Sequence, residues 1–71
     1  MKSKDAEKLV FFVNDKASMD ALAWYVDIRI ETLKTALVRA KDFEEVKGYQ
    51  GAIEEVARFK NIREEVLNPR D

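Results

Sequence analysis

"AKDFEEV", residues 40–46, decides the fold. Asp42 is followed three residues later by Glu45, the spacing of a capping box with Asp in place of the usual Ser or Thr. In such a box the first side chain takes an unpaired amide of the new helix, and the second reaches back to the amide of the cap residue. One helix therefore ends near Ala40 or Lys41, and another starts at Asp42. A connection of so few residues makes the two helices antiparallel neighbours.

The stretch before the turn carries apolar residues at Ala23, Val26, Ile30, Leu33, Leu37 and Ala40. Spacings of three and four make a helix stripe of coiled-coil type. Met19, Leu22, Trp24 and Ile28 widen it early, and Ser18 is the expected N-cap, with Asp20 in the first turn. After the turn, Val46, Tyr49, Ile53 and Val56 form one stripe, which drifts into Phe59, Ile62 and Val66. Asn68 and Pro69 stop this helix, because the residue before proline is pushed out of the α region. The two helices, residues 18–41 and 42–67, are each about 33–37 Å long, and residues 68–71 form a tail.

The N-terminal stretch 3–14 is the awkward part. "KLVFFV", residues 8–13, suits a strand by composition, but nothing else in the chain offers a strand to pair with. A short helix is the better reading, ended by Asn14 and Asp15, with strand as the alternative for residues 8–13. Leu9, Phe11, Phe12 and Val13 are expected to fold over the open end of the hairpin and cover Trp24, Leu22 and the far half of the last helix.

The expected fold is thus all-α: an antiparallel hairpin of two long helices with a short N-terminal helix packed on it, as one domain. Seventy-one residues make a marginal core. With no cysteine for disulfides and no histidine for the usual zinc sets, a partner or a dimer or higher oligomer is the expected source of added stability.

Thirteen basic and fourteen acidic residues give a net charge of −1, which supplies no drive toward nucleic acid or anionic membrane. No apolar run approaches the roughly 20 residues of a membrane span. The start of the chain has no signal-peptide pattern, so an intracellular protein is expected. Catalysis lacks its commonest nucleophiles and bases. The acidic pairs Glu44/Glu45, Glu54/Glu55 and Glu64/Glu65 recur every ten residues. Ten residues turn a helix by about 1000°, so the pairs spiral around it without converging. No enzyme, cofactor or metal is expected.

Seven aromatic residues are generous for so small a core, and adjacent Trp24 and Tyr25 cannot both point inward. Some apolar surface is left for a protein partner. Both glycines, Gly48 and Gly51, lie inside the second helix, three apart and on one face, with Ala52 beside them. A glycine in a helix interior costs up to about 1 kcal/mol relative to alanine, so a close approach is the expected reason. Across the hairpin that strip faces Thr32 and Thr35; the alternative is a side chain from a partner. Trp24, Tyr25, Ile28, Tyr49, Gly51 and Phe59 are the expected partner-binding residues.

"LKTALVRAKDFEEVKGYQGAIEEVARF", residues 33–59, resembles small helical-hairpin proteins of tailed bacteriophages. The resemblance is carried by Leu37, Ala40, Asp42, Phe43, Glu45, Val46, Lys47, Gln50, Gly51 and Ile53; Gly48 and "KLVFFV" stand outside it. It implies a phage origin, in the bacterial host cytoplasm or the virion, and work by binding. A small virion structural or assembly component is the first expectation. An accessory inhibitor that binds a host bacterial protein is the alternative, and a nucleic-acid binder the least favoured.

Overall fold

A computed structural model describes residues 1–70 of the chain. Five α-helices follow one another: α1 (Ser3–Glu7), α2 (Val10–Asn14), α3 (Lys16–Val38), α4 (Phe43–Arg58) and α5 (Ile62–Leu67). A 3₁₀ turn, Phe59–Asn61, joins α4 to α5, and the described residues contain no strand. The all-α expectation therefore holds, and "KLVFFV" is helical from Val10 onward.

The forward half of the capping box at the main turn forms as its spacing predicts, and the return half is shifted by one residue. The Glu45 amide donates to Asp42 Oδ1 at 2.8 Å, and Glu45 Oε2 accepts from the Lys41 amide at 2.9 Å. The return bond thus lands one residue before the N-cap. Residues 39–42 connect the helices, and α4 packs against α3. On α3 the covered side carries Leu22, Val26, Ile30, Leu33 and Leu37, with Val26 fully buried. On α4 the half-buried row is Val46, Tyr49, Ile53 and Val56. Ala23, expected in the α3 stripe, is exposed instead. Leu22 and Val26 already fill that level at a spacing of four, which leaves position 23 turned aside.

Four boundaries differ from expectation. Helix α3 ends at Val38, short of Ala40, because the Arg39 and Ala40 amides bond three residues back, to Ala36 and Leu37. The N-terminal helix is broken into α1 and α2, because the Lys8 and Leu9 amides bond three residues back, to Asp5 and Ala6, and close the first helix early. Helix α3 starts at Lys16, not beyond Ser18: Asp15 is the cap, and its Oδ2 accepts from the Ser18 amide at 3.1 Å. Aspartate caps as well as serine does, and Asp15 stands three residues ahead of that amide. The last helix is interrupted by the 3₁₀ turn, where Lys60 Nζ reaches back to Asp27 Oδ1 on α3 at 2.6 Å.

The second apolar cluster sits at the end away from the main turn. Ala6, Val13 and Val66 are buried there, with Leu9, Val10, Met19 and Ile62 packed around them. The N-terminal helices do close this end, on α5 in the far half of the last helix as expected, and on the start of α3. They do not cover Trp24, and Phe11 is 90% exposed. Only one side of so short a helix can face the cluster, and Val13 and Val10 occupy it.

Candidate interaction surface

Helix α3 is apolar on two opposite sides. One side is the covered row through Val26. Residues two places before and after Val26 are turned by about 200° from it, so Trp24 and Ile28 lie on the far side. Trp24 is 69% exposed, Tyr25 54% and Ile28 41%. Ala17, Ala21 and Thr35 continue this outer row, and all three are exposed. The Thr32 and Thr35 hydroxyls donate to the Ile28 and Glu31 carbonyls of their own helix, at 3.0 and 3.1 Å. Neither hydroxyl is left as an unpaired polar group on the surface.

Charges border the row on both sides. By helical position Asp20, Asp27 and Glu31 line one border, with Lys16 and Lys34 beside them, and Arg29 lies on the other. Asp27 is held by Lys60, whereas Asp20 and Glu31 meet only exposed lysines of their own helix. Lys16 is 2.9 Å from Asp20, and Lys34 is 3.9 Å from Glu31. The hydrogen bond and the charge of Asp20 raise the pKa of Lys16 above its ordinary value.

The outer side of α4 has the opposite relief. Gly48 and Gly51 are both exposed, and a Cβ built on either meets nothing within 4 Å. The expected close approach to Thr32 and Thr35 is therefore absent. Val46, Tyr49 and Ile53 turn to α3, and the glycines lie on the other side of their helix. Lys47 and Arg58 lie to one side of the glycines, and Glu44 and Glu55 stand on the same line as Gly48 and Gly51, four residues before and four after them. Lys47 sits over the Phe43 ring at 5.4 Å from its centre, and Arg58 is 3.8 Å from Glu55.

The six expected contact residues are thus dispersed. Trp24, Tyr25 and Ile28 share one surface on α3. Gly51 lies on the outer side of α4, and Tyr49 is half-buried between the helices. Phe59 is in the 3₁₀ turn, beside a shallow groove with Met1, Ile62, Glu55 and Glu65. Sequence reasoning passed over Val38 and Phe43 as surface residues, although they are 85% and 73% exposed. Their position at the main turn, off both apolar rows, is the signal that would have found them.

Among the described residues no group of three or more acidic side chains is placed to hold a metal ion. No described helix is long and apolar enough to cross a membrane. No protein-family model matches the chain, and neither a curated protein nor a solved structure matches it. The surface on α3 consequently has to be read on its own chemistry.

Proposed function

We propose that this chain is a non-enzymatic interaction module, an antiparallel hairpin that works by docking protein onto the outer side of α3. The carrying observation is the row of Trp24, Tyr25 and Ile28, exposed on the side opposite the packed one. A helix apolar on both sides belongs inside an assembly, not at a free surface. Trp and Tyr are also the residues most favoured as interface anchors. The absence of histidine and cysteine from the sequence supports the non-enzymatic part. The narrower reading, a small structural or assembly component of a phage virion, rests on the sequence resemblance of residues 33–59.

A photo-crosslinking amino acid placed at position 24, in the cell that carries the gene, tests the docking. Covalent adducts with protein are expected at position 24 and not at an exposed control such as Glu7. Equal yields at the two positions, or none at position 24, sink the reading.

A further inference from the structure

Residues 7–16 read "EKLVFFVNDK". The stretch matches its own reverse. Laid antiparallel on a second copy with Phe11 opposite Phe12, it sets Val10 opposite Val13 and Leu9 opposite Asn14. At both ends the charges then meet with opposite sign, Lys8 opposite Asp15 and Glu7 opposite Lys16. Aromatic, β-branched and opposite-charge pairs are those that stabilise adjacent strands. A parallel pairing in register would set each charge against its like. Residues 9–13 are also uncharged, rich in β-preferring side chains and free of proline, the composition of cross-β segments.

The fold holds this stretch helical by packing alone. Helices α1 and α2 have five residues each, and neither N-cap makes a side-chain hydrogen bond. Helices so short are not stable by themselves. Val13 is buried in the end cluster, with Leu9 and Val10 packed against it. The two bulkiest side chains add less: Phe12 is partly exposed and Phe11 almost fully. Those two form the centre of the antiparallel pairing. The end cluster is separate from the core around Val26, so it can open locally while α3 and α4 stay packed. A reserve cap for that state is in place. When Asp15 lets go of the Ser18 amide, Ser18 is itself a good N-cap residue for a shortened α3.

We infer that residues 7–16 are a switch segment. As helix they close the end of the hairpin. When the end cluster opens they extend and pair, antiparallel, with the same residues of a second copy. Each such pair has two free edges, so further copies add and a sheet grows. Successive strands run in opposite directions and carry their hairpins to opposite sides. Hairpins on one side are then two strand spacings apart, about 10 Å, the width of one helix. This contact is independent of the outer side of α3, because backbone pairing of the N-terminal segment makes it.

Full-length variants, followed by infrared spectroscopy of the amide I band and by sedimentation, test the switch. Val66→Ala loosens the end cluster without touching the segment. It is studied at a urea concentration where hydrogen exchange finds α1 and α2 open and α3 and α4 protected. Sedimenting protein with the antiparallel-strand band is expected to form roughly tenfold faster than in wild type, or more. Phe11→Lys leaves the fold intact, because that side chain is exposed, and puts a charge at the centre of the pairing. Added to Val66→Ala, it is expected to abolish the band while the urea midpoint stays unchanged. Glu7→Lys and Lys16→Glu in the same background are each expected to slow assembly, and the two together to restore it. The inference is overturned if Val66→Ala forms no strand with α1 and α2 open, or if no urea concentration opens them ahead of α3 and α4. It is equally overturned if Phe11→Lys assembles as fast, if the band is that of parallel strands, or if the double charge exchange recovers nothing.

Discussion

At the scale of single residues, burial and exposure make opposite demands that mutation separates. Val26 is fully enclosed between α3 and α4. Val26→Ala is expected to cost about 2 kcal/mol, through lost burial and the cavity left behind. Trp24→Ser, on the same helix two residues away, is expected to change stability by no more than about 0.5 kcal/mol in dilute protein. Urea unfolding of both checks this, and a comparable loss for Trp24→Ser would show that its side chain belongs to the fold. Gly51→Ala has the opposite sign. With nothing within 4 Å of the added Cβ, the gain in helix propensity stands alone, at about 0.5–1 kcal/mol. A drop in the urea midpoint would contradict an open strip. The residues that the sequence could not place were those whose neighbours are set by a third element. Gly51 is one of these, whereas Tyr49 shares the apolar stripe of Val46, Ile53 and Val56 and is covered as that spacing predicts.

At the scale of elements, the turn was legible because its chemistry is local. Asp42 and Glu45 are three residues apart in any conformation, so the capping geometry is implied before folding. Asp42→Ala is expected to cost about 1 kcal/mol and to speed hydrogen exchange at the Glu45 amide, whose acceptor it removes. Unchanged exchange there would mean that the side chain is not the cap. The start of α3 shows the limit of the same reasoning. Asp15 and Ser18 are both good caps, and they end up hydrogen-bonded to each other. Spacing alone leaves open which of them lies outside the helix. The 3₁₀ turn was not legible for a different reason. Phe59, Ile62 and Val66 continue the apolar period of α4 without a break. The interruption coincides with a tie to Asp27, thirty-three residues away in sequence, which no local pattern encodes.

At the scale of the whole molecule, the chain is elongated. Its radius of gyration is 14.9 Å, against about 11 Å for a compact domain of this length. The two apolar clusters are correspondingly separate. One lies along α3 and α4 around Val26, and the other joins α1, α2 and α5 around Val13 and Val66. Stability in so drawn-out a chain is expected to be uneven, because local opening follows the density of buried contacts. Val13→Ala perturbs the end cluster alone. It is expected to raise hydrogen exchange together in α1, α2 and α5, while the middle of α3 and α4 keeps its protection. Uniform acceleration across all five helices would show instead that the two clusters unfold as one unit. Concentration links this to assembly. A contact made only by folded copies stabilises them by mass action. Docking of protein on the outer side of α3 is expected to raise the protection of α3 and α4 with the concentration of that protein, and that of α1 and α2 only to the extent that the clusters are coupled. Trp24→Ser is expected to abolish the rise while leaving the dilute-protein pattern unchanged. A concentration dependence that survives this substitution would place the contact elsewhere on the molecule.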